Sequence, residues 1–146
     1  MKPFSLQTVL DYRKRLEDLA QHRFIEAKKI QETIQKKLNE EVHGLALFID
    51  EIEKMQAEGI GITELMRFEE RITARKSNVE AIKKNLTEKS ALVKKEQQSL
   101  LDRSKERQIM DQLKDTQNRA WHLYLNKKEA AMLDEIATTR HEPDTF

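Results

Sequence analysis

The sequence has no cysteine, two prolines, three glycines and few aromatics, which make up 5% of its 146 residues. Lacking cysteine, it excludes disulfide staples and Cys-ligated zinc and fits a reducing compartment. So little Gly and Pro leaves too few turns for a compact α/β domain. One-sided charge is missing as well: 27 basic side chains oppose 26 acidic ones, a formal net charge of +1. A dedicated nucleic-acid binder normally carries a strong basic excess, so that class is disfavoured. No apolar run approaches a membrane span, and Met1-Lys2-Pro3-Phe4-Ser5 contains no apolar signal core. The expectation is a soluble, cytoplasmic protein.

What is present is charge and helical periodicity. Charged residues reach 36%, and a helical repeat in such a composition is the signature of long or coiled-coil helices. High charge with few aromatics also suits disorder, but balanced charge and periodic apolar residues argue against it. Two of the three glycines fall in Ala57-Glu58-Gly59-Ile60-Gly61-Ile62-Thr63, where the chain can reverse direction. Thr63 is the expected N-cap of the following helix, with Glu64 at the positive end of its dipole. The expected fold is all-α: two long helices in an antiparallel coiled-coil hairpin, the second overhanging the first. One domain, 1–146, would comprise a helix at about 5–57, a turn at 58–63, a helix at about 64–140 and a flexible tail at 141–146. Pro143 sets the end of the second helix.

In the first arm, Ser5 is a candidate cap, with Phe4 and Val9 at the spacing of a hydrophobic staple. An apolar stripe then runs through Leu16, Leu19, Arg23, Ala27, Ile30, Ile34, Leu38, Val42, Leu45, Ile49 and Ile52. Its mean step, roughly 3.6 residues, predicts a gently twisted rod rather than a tight supercoil. Gly44, inside this arm, costs about 1 kcal/mol against Ala. The second arm keeps a stricter heptad, from Leu65, Phe68 and Ile72 to Val93 and Leu100, with Arg75, Lys89 and Glu96 as polar intrusions that can fix register. Residues 102–108 have almost no apolar content. Beyond them, Trp121 and Tyr124 are three apart and share a helix face.

A reversal near residue 60 pairs Phe4 with Gln117. The second helix then continues past its partner from about 118 to 140, some 30 Å at ~1.5 Å per residue. An isolated helix of that length is marginal in water, so it calls for a partner, a fold-back or a bend.

Catalytic patterns are missing. His22, His43, His122 and His141 are scattered and form no metal spacing. No glycine-rich phosphate loop follows a strand, and a two-helix rod has no cleft to desolvate a carboxylate pair. The expectation is no enzyme, no cofactor and no metal. Bridging, scaffolding, escort and transmission of motion all remain open on composition alone.

Several stretches resemble one family. Phe4-Ser5-Leu6-Gln7-Thr8-Val9-Leu10-Asp11-Tyr12-Arg13 is similar to the opening F-x-L-x-x-V-L-x-x-R of the flagellar export protein FliJ family. Leu65-Met66-Arg67-Phe68-Glu69-Glu70-Arg71-Ile72 follows the turn where that family reverses. Ser104-Lys105-Glu106-Arg107 with Leu113-Lys114 resembles its basic segment, and Lys128-Glu129-Ala130-Ala131-Met132-Leu133-Asp134-Glu135-Ile136-Ala137 its C-terminal E-x-x-x-x-D-E-x-A. The resemblance implies a stalk similar to the γ subunit of rotary ATP synthases. Such a stalk inserts into the hexameric flagellar export ATPase, contacts the export gate's membrane protein and escorts empty export chaperones. It would reside in the cytoplasm, peripheral to the inner membrane at the flagellar base. By that analogy Trp121, Tyr124, Asp134 and Glu135 are candidate ATPase-ring contacts, and Leu45, Phe48, Phe68 and Arg71 candidate gate contacts. Competing readings are the equivalent stalk of a virulence-type secretion system, an export holdase chaperone, and a structural coiled-coil tether.

Overall fold

The computed structural model describes residues 4–140. Two helices account for nearly all of it: α1, Gln7–Glu58, and α2, Ile62–Arg140. No strand occurs among the described residues. The expected tail at 141–146, with Pro143 and His141, lies outside them.

The turn between the helices depends on one glycine. Gly59 has φ +96°, a left-handed conformation that a Cβ penalises. Its N–H donates to the carbonyls of Met55 (3.0 Å) and Gln56 (3.2 Å), closing the end of α1 as a C-cap. The N-cap of α2 differs from expectation. Leu65 N–H donates to the Gly61 carbonyl at 3.0 Å, so Gly61 occupies the cap and Thr63 lies exposed in the first turn. Glu64 does sit in that first turn, where a carboxylate suits the dipole.

Contacts divide the chain into two compact units, one Leu19–Leu100 and the other formed by the stretches up to Asp18 and from Leu101. In the first unit the helices run antiparallel in the expected register. Gln31 Nε2 donates to Ser90 Oγ at 2.9 Å, and Leu38, Val79 and Ile82 form a buried cluster flanked by Ile34, Leu45 and Leu86. The α2 side of this interface follows the heptad read from sequence: Leu65, Phe68, Ile72, Arg75, Val79 and Ile82 are all buried or half-buried.

The α1 side follows its expected stripe only in part. Leu19, Ile30 and Val42 are exposed at 47%, 43% and 45%, and Arg23 is exposed too. The covered positions run Ala20, Phe24, Ala27, Gln31, Ile34, Leu38, Glu41, Leu45, Phe48 and Ile52, in alternating steps of four and three; Ala27, Ile34, Leu38, Leu45 and Ile52 belong to the expected stripe, as does half-buried Ile49. The cause is the partner. A helix facing a strict heptad must keep the same 3.5-residue period, and a 3.6 stripe drifts off that seam.

In the second unit the interface is thin. Phe4, Leu10 and Met110 are its buried apolar cluster. Phe4 packs on Leu10 rather than stapling to Val9, which is 38% exposed, and meets Met110 rather than the region of Gln117. The reason is a turn before α1: Gln7 N–H donates to the Phe4 carbonyl at 3.1 Å, which folds the Phe4 ring back toward the helix. Charged side chains replace core around this cluster. Arg107 Nε meets Glu17 Oε2 at 3.1 Å, and its Nη1 meets Asp111 Oδ2 at 2.8 Å. Arg13 Nη1 donates to the Glu106 carbonyl at 2.9 Å. Hydrogen bonds to Asp111 and then to Glu17 raise the Arg107 pKa above its ordinary value, against a smaller opposing effect of desolvation.

Candidate functional site

The eight residues singled out from sequence fall into two groups with different surroundings. Leu45, Phe48 and Phe68 belong to the helix–helix seam of the Leu19–Leu100 unit. Phe48 and Phe68 meet edge to face, centroids 6.1 Å apart and planes at 75°, the geometry favoured by opposed ring quadrupoles. Leu45 packs on the Leu38–Val79–Ile82 cluster. All three are half-buried, so α1 and α2 already occupy much of their surface. Arg71 is exposed and is the member of this set that presents its side chain outward.

Arg75 explains one polar intrusion in the heptad. Its guanidinium lies over the Phe48 ring, 5.1 Å from the centroid. A Cβ added at Gly44 would stand 3.5 Å from Arg75 Nη2, so the glycine forms an open floor beside that side chain. Neither helix alone reveals this arrangement, because the cation and the ring come from different arms. The charge of Arg75 was visible in the sequence pattern; its partner was not.

The second group lies on the C-terminal part of α2. Trp121 and Tyr124 share the helix face that their three-residue spacing implies, and there their rings stack at 5.5 Å with an interplanar angle of 25°. Trp121 is half-buried, and every residue from His122 to Arg140 is exposed. Leu123 (62%), Tyr124 (54%), Met132 (55%) and Leu133 (60%) thus face solvent as large apolar side chains. Asp134 and Glu135 are exposed as well, more than two turns beyond Tyr124. Thr138 and Thr139 donate their hydroxyls to the Asp134 and Glu135 carbonyls at 2.9 Å, which leaves both carboxylates out of those bonds.

Among the described residues no cluster of three or more His, Asp or Glu side chains is placed to hold a metal ion, and no helix is long and apolar enough to cross a membrane. The grooves on the molecule are shallow and open. One is lined by Met132, Glu135, Ile136, Thr139 and Arg140; another by Met66, Glu69, Glu70 and Thr73. Both of these lie on α2.

These features define an all-helical protein of two long antiparallel helices, with functional surface on open helix faces. Residues 1–142 match the family model described as Flagellar FliJ protein, and the chain belongs to the FliJ family. It is therefore a component of flagellar-type protein export, in a family of non-enzymatic export components. No curated protein and no solved structure matches the chain.

Proposed function

We propose that this protein is a stalk for the flagellar export ATPase, inserting into the ATPase hexamer and coupling it to the membrane protein of the export gate. The reading treats residues 1–146 as one coiled-coil domain without catalytic activity, held in the cytoplasm at the flagellar base through protein contacts. It assigns Trp121, Tyr124, Asp134 and Glu135 to the ring, and Leu45, Phe48, Phe68 and Arg71 to the gate side. Escort of export chaperones belongs to the same reading.

One observation carries it: α2 runs on through Arg140 while all its residues from 122 onward are exposed. A single helix of that length gains little from propensity alone, and its row of exposed apolar side chains stays costly until something covers it. A ring that closes around the helix supplies that cover. The γ-like role also needs stiffness, and a helix continuous from Ile62 to Arg140 provides it locally.

The test is ATP turnover and ring assembly of the cognate flagellar export ATPase, measured with the full chain, with Trp121→Ala/Tyr124→Ala, and with a chain ended after residue 117. Stimulation by the full chain alone, weakened in the double variant and lost on truncation, supports the stalk. An ATPase indifferent to all three sinks it and turns attention to a holdase role.

A further inference from the structure

We infer that the outer face of α2 next to the turn docks a basic, amphipathic helical segment of a partner protein. Ile62 is 77% exposed and Met66 59%. They lie one turn apart and share a helix face with Glu69, Glu70 and Thr73, the last three of which line an open groove with Met66. The seam residues Leu65, Phe68 and Ile72 point elsewhere on α2, toward α1, so α1 does not cover this face. At about 100° per residue, Arg67 and Arg71 project from the other side of the helix, and no basic side chain interrupts the groove.

Charge chooses the occupant. Residues 40–71 contain nine acidic and three basic side chains, in a chain whose net charge is +1. The hairpin end of the Leu19–Leu100 unit is thus acidic while the remainder of the sequence is net basic. A surface with an apolar ridge, Ile62 and Met66, beside carboxylates, Glu69 and Glu70, complements a helix with Leu-like residues on one face and Lys or Arg flanking them. Methionine suits the ridge because its unbranched, polarizable side chain adapts to differing partners. An acidic segment would meet like charge here, and an uncharged one would leave the carboxylates without partners.

This inference deepens the gate-side contact proposed above by naming the partner's chemistry, and it rests on that reading only for which protein carries the segment. The probe is a labelled synthetic helix with one Leu face and one Lys face, titrated into the full-length protein; its control has Glu in place of Lys. The Lys peptide is expected to bind at low salt and the Glu peptide not. Glu69→Lys/Glu70→Lys, and separately Met66→Ser, should each weaken binding by about tenfold, the scale of one anchoring contact. Glu26→Lys/Glu32→Lys makes the same charge change at exposed positions of α1, remote in sequence from this face, and should leave binding intact. Equal weakening by the two charge-reversed variants, no effect of Met66→Ser, or equal binding of both peptides would each overturn the assignment. All substituted positions are exposed, and far-UV circular dichroism checks that each variant keeps its helices. A silent ATPase assay alongside intact peptide binding would remove the stalk while leaving this surface in place.

Discussion

Arg75 lies over the ring of Phe48, its guanidinium carbon 5.1 Å from the ring centroid, so a residue of α2 that looks misplaced in an apolar heptad is paired with an aromatic of α1. The same ring meets Phe68 edge to face. One cluster therefore joins a cation and two aromatics across the helix–helix seam, and it carries both packing and register.

A double-mutant cycle on Phe48→Leu and Arg75→Met should return a coupling of about 0.5–1 kcal/mol, the range for a partly exposed cation–π contact. Chemical denaturation of the four proteins gives the value. Additive losses would mean that the guanidinium is merely parked beside the ring. Arg75→Lys should keep less than half of the coupling, because the planar group that stacks is gone.

Two glycines should respond to alanine with opposite sign. At Gly44, mid-helix, the added Cβ makes ordinary contact with Arg75 at 3.5 Å, so Gly44→Ala should stabilise by about 1 kcal/mol. At Gly59 there is open space, but φ is +96°, so Gly59→Ala should destabilise by about 1–2 kcal/mol. Thermal unfolding of both variants is the check, and a matching sign would contradict the turn geometry.

Much of this fold was legible because helical periodicity is a local property. The α2 heptad from Leu65 to Leu100 could be read from spacing alone, as could the reversal at the paired glycines and the shared face of Trp121 and Tyr124. The α1 seam could be read only in part, at Ala27, Ile34, Leu38, Leu45 and Ile52 among others. Its sequence contains two overlapping apolar stripes, and the choice between Ile30 and Gln31, or Val42 and Glu41, depends on the period of the helix opposite. Phe4 was misread for a similar reason: a turn bond from Gln7 redirected it to Met110. Of the candidate site, Leu45 and Phe68 stand on the seams that spacing predicts; Phe48 does not, and its place against Phe68 and Arg75 emerges only when the helices pair. Glu69 and Glu70 stand in the family-like stretch after the turn, but charge on a helix is ordinary until its neighbours are known.

The unit containing Phe4, Leu10 and Met110 should be the salt-sensitive one. Arg107 bridges Glu17 on α1 and Asp111 on α2, with all three side chains partly exposed. Replacing Glu17 by Gln should cost about 1 kcal/mol at low ionic strength and less at high salt. Proton linkage gives the sign for pH. A folded pKa raised above the unfolded one means that this contribution of Arg107 is fully present below the ordinary arginine range and lost only as pH rises through the folded value. Arg107 titration should therefore add no slope to stability between about pH 5 and 9. Comparing the salt and pH dependence of stability in wild type and Glu17→Gln tests both statements; a cost unchanged by salt would count against the ion pair.

The C-terminal part of α2 should be the least protected helical segment in the described chain. Protection from amide exchange requires that opening be costly, and residues 122–140 have no buried side chain to raise that cost. Their backbone bonds are held mainly by helix propensity, which for a segment this short is marginal. Exchange there should approach the intrinsic rate, while amides around Leu38, Val79 and Ile82 exchange far more slowly. Adding the export ATPase should then slow exchange selectively between Trp121 and Arg140. Ordering on binding also consumes part of the interaction free energy, so a variant that strengthens this helix without touching its exposed apolar row, such as Asn126→Ala, should bind the ring more tightly. Strong protection of 122–140 in the free protein would show that the helix needs no partner, and would remove the observation on which the stalk reading stands.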